Sequence, residues 1–113
     1  MTTSLKMIRV GLIAALALGV QVAGAADLNN GKEKATTICA ACHGPDGLTV
    51  VDPSYPKLAG QYPDYLARAL TEYKSGTRKN PIMAGLAGTL SKKDVEDVAA
   101  YYASLPSPLK SAK

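Results

Sequence analysis

Apolar positions recur at helical spacing along most of this chain, and no alternating strand pattern of useful length interrupts them. A first helix is expected from about Leu28 to Ala41, entered through Asp27 or Asn29, with Ala35, Ile38 and Cys39 on one side. Gly44 to Gly60 is rich in Gly, Pro and Asp and reads as loop. A second helix opens at Pro63, with Asp64 in its first turn; Leu66, Ala69, Leu70 and Tyr73 share a face, and Gly76 ends it. Thr77 to Leu90, which contains Asn80, Pro81 and Met83, reads as a second loop. A third helix takes Ser91 as cap and Asp94 at the capping-box position, then carries Val95, Val98, Ala99, Tyr102 and Leu105 to a stop at Pro106. Ser107 to Lys113 is a short polar, flexible tail, and no internal repeat is visible. The pattern is that of a small all-α domain over residues 26–106.

Ahead of the first helix the pattern changes. Lys6 and Arg9 precede an apolar stretch from Val10 to Val20, followed by Ala23-Gly24-Ala25, the layout of an export signal cleaved before Ala26. Taken from Val10 to Ala26 the segment also has about the length of a membrane anchor, but Gln21 interrupts it and the small residues suit a peptidase. Cleavage of residues 1–25 leaves one domain too short to build a sizeable apolar core unaided.

The chemistry is concentrated in Cys39-Ala40-Ala41-Cys42-His43, a C-x-x-C-H run. Two cysteines one helical turn apart can each add to a vinyl group of one haem, and the histidine that follows is carried beneath the ring to ligate iron. A thioredoxin-like pair would need a βαβ setting that is missing here. A tetrahedral zinc site needs four ligands, whereas the chain has two Cys and one His. A disulfide across two residues would close a very small loop and add little stability. The motif therefore predicts a single covalent haem c and an exported, periplasmic protein. It also supplies the missing centre, because a large flat apolar group buries surface that so short a chain lacks.

A second axial ligand is expected of an electron carrier. His43 is the only histidine, and Met1 and Met7 lie in the leader, which leaves Met83 as the candidate. A thioether is a soft ligand that favours ferrous iron. Methionine is also a common core filler, but Met83 stands in a Pro-containing loop away from any apolar stripe.

The run from Gly31 to Leu105 resembles the class I cytochromes c, in particular the small bacterial cytochrome c4 and c553 group. The resemblance rests on Cys39 to Gly44, on Tyr55-Pro-Lys-Leu-Ala-Gly-Gln61, on Asn80-Pro-Ile-Met83, on the segment starting at Leu90, and on Ala99-Ala-Tyr-Tyr102. It implies N- and C-terminal helices crossing over a haem held in a crevice. It also implies that Gly31 permits close approach of those helices, against Val98 or Tyr101, and that the Pro56 carbonyl accepts the free ring N–H of His43. Met83 matches the distal ligand. Cytochromes c4 carry two such domains in tandem, and a second C-x-x-C-H is absent here.

The net charge is +4, of which two units belong to Lys6 and Arg9 in the leader. So modest a balance, with no basic stripe and interleaved aromatics, excludes nucleic acid as the expected partner. It suits transient docking of redox proteins through an acidic face, with Lys57, Lys74, Arg78 and Lys79 as a candidate docking ring. No stable membrane insertion is expected once the leader is removed. All aromatic rings are tyrosines, six of them, so any buried hydroxyl needs a partner. The expected function is a periplasmic single-electron carrier, not an enzyme. The alternative is the haem subunit of a periplasmic dehydrogenase complex; a gas sensor or peroxidase would require an open iron position.

Overall fold

The computed structural model describes residues 24–109, together with Gly11 and Ala14. Most of the expected export signal, and residues 110–113 of the expected tail, lie outside the described residues. Among those described there are helices and loops and no strand.

Helix α1 comprises three contiguous stretches: α-helical Leu28–Lys34, a π turn at Ala35–Cys39, and α-helical Ala40–His43. Asp27 is its cap, accepting from the Asn29 and Asn30 N–H groups and so satisfying donors that the first turn leaves free. In the π turn the Ala40 N–H reaches back five residues to the Ala35 carbonyl. The Thr37 hydroxyl donates to the Glu33 carbonyl at 2.8 Å, a side-chain bond that competes with the helical ladder beside the widened turn. The helix extends past the expected end at Ala41, so that Cys42 and His43 are themselves helical. Gly44 stops it with φ of 83°, and a side chain there would also strike the Thr49 carbonyl.

Residues 44–62 wrap back over the end of α1 as expected of a loop. The Val51 N–H donates to the Cys42 carbonyl, and the Gly47 carbonyl accepts from both Leu58 and Ala59. Asp46 takes the Leu48 and Thr49 N–H groups and the Thr49 hydroxyl, which fixes the turn directly after the C-x-x-C-H run.

Helix α2, Pro63–Ser75, begins and ends as the sequence predicts, with Pro63 in its first turn and Gly76 left-handed at φ of 82°. Helix α3, Pro81–Ala87, was not expected and corrects the reading of Thr77 to Leu90 as continuous loop. Asn80 caps it by accepting from the Ile82 and Met83 N–H groups, and Pro81 occupies its first turn. Seven residues are too few to display a helical period, and Asn-Pro is also a turn signal. Helix α4, Lys92–Ser104, carries the expected capping box: the Asp94 N–H donates to the Ser91 hydroxyl, and the Ser91 N–H to the Asp94 carboxylate, both at 3.0 Å.

The core joins α1, α2 and α4 through Ala35, Leu66, Val98, Ala99 and Tyr102. Helices α1 and α4 approach closely at Gly31, where a Cβ would fall on the Asp97 carbonyl and 2.8 Å from the Tyr101 Cβ. Of the two neighbours the resemblance implied, Tyr101 is among the atoms nearest that position, together with the Asp97 backbone.

Beside that crossing lies a buried polar clasp. Asp97 is fully buried on α4, accepting from the Asp27 N–H at 2.8 Å, the Asn30 amide at 2.9 Å and the Lys93 ammonium at 3.0 Å. Its burial opposes ionisation, yet these donors prevail and hold the carboxyl below its ordinary range. Asn30 also donates to Asp94, which lowers that carboxyl to about 2.

Candidate cofactor crevice

Helices α1, α2, α3 and α4 and the loop after α1 enclose one crevice of about 500 Å³. Cys39, Cys42, His43, Pro56 and Met83 all line it. Residues that stand far apart in sequence, one cluster on α1 and a thioether on α3, thus face a common space.

His43 is 7% exposed and its Nδ1 lies 2.9 Å from the Pro56 carbonyl oxygen. A carbonyl only accepts, so Nδ1 carries the proton and Nε2 is left with its lone pair. The Tyr55 ring flanks the imidazole at 6.2 Å between centroids. Cys39 and Cys42 are free thiols, half-buried. Burial pushes the Cys39 thiol up, only partly offset by its bond to the Tyr102 hydroxyl. Tyr102, itself buried, is raised chiefly by burial and then by Cys39; its ring packs over Gly47, where φ of 68° and a ring carbon 2.9 Å from any Cβ both demand glycine.

Met83 is set by the start of α3. The Asn80 side chain accepts its backbone N–H at 3.0 Å, and Pro81 fixes the first turn. The rest of the wall is largely apolar, with Ile38, Leu66, Leu70, Leu86 and Val98 facing inward.

The sequence grouped Lys57, Lys74, Arg78 and Lys79 as surface charges, and they separate in the structure. Lys57 and Lys79 are exposed. The Lys74 ammonium donates to the Leu90 carbonyl and ties α2 to the segment after α3. Arg78 turns inward to line the crevice, its guanidinium 5.9 Å and 5.3 Å from the Tyr65 and Tyr73 ring centres and 3.4 Å from Glu72. Helical spacing of Tyr65 and Tyr73 was the only sequence signal for this arrangement.

Among the described residues no three His, Cys, Asp or Glu side chains are placed to hold a bare metal ion; two thiols one turn apart, an imidazole with only Nε2 unengaged, and a thioether around an apolar slot form instead a donor set suited to iron in a planar macrocycle. With a helical wrap of this kind, they define the class: a c-type haem protein. The family profile described as cytochrome c matches residues 28–106. The chain belongs to the cytochrome c family, and its cofactor is covalently bound haem c.

The relatives share this domain. Cytochrome c4 of Thiocapsa roseopersicina is 45% identical over 80 residues, 71% of this chain and 41% of that protein. The thiosulfate dehydrogenase electron acceptor of Stutzerimonas stutzeri (strain A1501) is 38% identical over 101 residues, 85% of this chain and 46% of its own. Reduced recombinant cytochrome c4 from Pseudomonas stutzeri superposes with a TM-score of 0.61 at 33% identity, over 74% of this chain and 52% of that one. The chain spans about half the length, or less, of these relatives. The fold is that of the class I cytochromes c, with α1 and α4 as the crossing terminal helices.

Proposed function

We propose that this chain is a periplasmic single-electron carrier with one haem c, attached through Cys39 and Cys42 and ligated by His43 and Met83. One observation carries the reading: a single crevice gathers both thiols, the His43 imidazole with its Nδ1 engaged by Pro56, and the Met83 thioether. Haem supplies an Fe(III)/Fe(II) couple, so one electron enters and one leaves with no bond made to a substrate. The residues act as follows. The Pro56 carbonyl accepts from Nδ1 and so fixes the orientation of His43. Met83 offers a soft donor that favours the reduced state, on a helix start made firm by Asn80. The aliphatic wall excludes water and keeps the reorganisation between oxidation states small.

In this reading residues 1–25 are a cleaved export signal and 26–106 the cytochrome domain. Among the described residues no helix is long and apolar enough to cross a membrane. Redox partners dock transiently through an acidic face. Support comes from Ile82, which lines the crevice yet is 63% exposed, and from the exposed Lys57 and Lys79 on neighbouring loops. Stopped-flow electron transfer to an acidic redox protein should slow as ionic strength rises, and the native ferrous protein should not take up carbon monoxide. Salt-independent rates would remove the docking face; carbon monoxide uptake would open the iron and move the protein to the sensor or peroxidase class.

A second reading is favoured by the relative named thiosulfate dehydrogenase electron acceptor, and by a similar structure of a thiosulfate dehydrogenase from Marichromatium purpuratum, with a TM-score of 0.66 at 31% identity. Here the chain is the haem subunit of a periplasmic dehydrogenase. A dehydrogenase recovered in stoichiometric amount with the exported chain would select this reading over the free carrier.

A further inference from the structure

The segment that carries Met83 leaves and rejoins the body of the protein at the last turn of α2. On the way out, the Gly76 N–H donates to the Tyr73 carbonyl at 3.3 Å and the Arg78 N–H to the Glu72 carbonyl at 3.1 Å. Asn80 then caps α3, with Met83 in its first turn. On the way back the chain passes through Leu90, which belongs to neither α3 nor α4, is 3% exposed and lines the crevice. Its carbonyl accepts from the Lys74 ammonium, 16 positions earlier. A lysine on a helix surface ordinarily keeps its head group in water. Lys74, an exposed residue, aims that head at a backbone oxygen instead, and it stands in neither ion pair found among the described residues. The last turn of α2 thus holds both ends of the Met83 segment: the outgoing end through backbone bonds, the returning end through burial of Ala87 and Leu90 and through this side-chain bond.

We infer that Lys74 is a positioning residue for the sixth iron site: its ammonium latches Leu90 to α2 and thereby holds the Met83 thioether in place. The inference rests on the proposed ligation by Met83. A thioether is an uncharged donor, so its hold depends on how well the segment that presents it is pre-set. A hydrogen bond from a charged donor is stronger than one between neutral groups, and a loop tied at both ends has fewer open states. An outside ligand reaches the iron only while the segment is open, so its apparent affinity rises with the open fraction. The coupling is reciprocal, and whatever displaces Met83 also loosens Lys74 from Leu90.

The test is imidazole titration of the ferric holoprotein, followed by loss of the optical band that depends on Met83, in wild type, Lys74→Leu, Lys74→Arg and Lys92→Leu. Lys74→Leu should bind imidazole about tenfold more tightly, the scale of one hydrogen bond from a charged donor. Lys74→Arg should fall short of that rise, because a guanidinium still offers charged donors. Lys92→Leu removes a charge from an exposed position just beyond Leu90 and should titrate as wild type. An unchanged affinity in haem-loaded Lys74→Leu, or an equal rise in Lys92→Leu, would overturn the latch. The reciprocal measurement needs no variant. Acetylation of the wild-type holoprotein, resolved by peptide mass spectrometry, should modify Lys74 more slowly than the exposed Lys57, and saturating imidazole should remove that protection. Labelling of Lys74 that ignores imidazole would overturn the latch even if Lys74→Leu fails to accumulate. A wild-type ferric haem without any Met83-dependent band would instead overturn the ligation reading itself.

Discussion

A methyl group at position 31 would have to displace backbone, because the site it would occupy lies on the Asp97 carbonyl. Gly31→Ala should therefore force α1 off α4 and cost about 1–3 kcal/mol, the range of an overpacked core, measured by urea unfolding of the holoprotein. The neighbouring clasp adds a pH dependence. Asp94 is lowered to about 2 and Asp97 is also held below its usual value, so both contribute stability above the unfolded value near 3.8 and lose it as pH falls through the folded values. The melting temperature should be level from neutrality to about pH 5 and drop between about pH 4 and 2, with a smaller drop in Asp94→Asn. An identical acid profile in that variant would place the loss elsewhere. At this scale the sequence was legible where the residues stand close together: Cys39, Cys42 and His43 fall within five positions, and elimination pointed to Met83, which lines the same crevice. The Asp97 clasp was not legible, since its partner Asn30 lies 67 positions away and an aspartate within an apolar stripe carries no sign of who answers it.

Among the elements, α3 has a consequence out of proportion to its length, since it sets Met83 against the crevice. Asn80→Ala removes the acceptor for two N–H groups and should cost about 1 kcal/mol, with the Met83-dependent optical signature lost at lower denaturant than global unfolding. Loss of both signals together would make α3 part of the same cooperative unit as the core. Longer helices were readable because their caps and faces agree: Pro63 and Gly76 bound α2, and the Ser91 capping box opens α4. The π turn in α1 was invisible, because one widened turn leaves Gly31, Ala35 and Cys39 at spacings that an ordinary helix also provides.

For the molecule as a whole, the protein interior is thin. Among the described residues, Ala35, Ala59, Ala87 and Ala99 make up four of the nine buried apolar ones, while larger side chains such as Ile38, Leu70 and Leu86 spend their apolar surface on the crevice wall. So small a core needs the haem to bury that wall, and the haem-free chain should be largely unfolded by circular dichroism, without a cooperative melt. A compact apoprotein with a sharp transition would show that the helices suffice by themselves. The central claim, covalent haem c with His43 and Met83 as its axial pair, is tested most directly by optical spectra of the exported protein, oxidised and reduced, beside those of Met83→Ala. The account predicts the sharp reduced bands of a covalent haem in both proteins, and a weak long-wavelength band of thioether-ligated ferric iron in the wild type alone. That weak band persisting in Met83→Ala, or a wild-type protein without covalent haem, would contradict it.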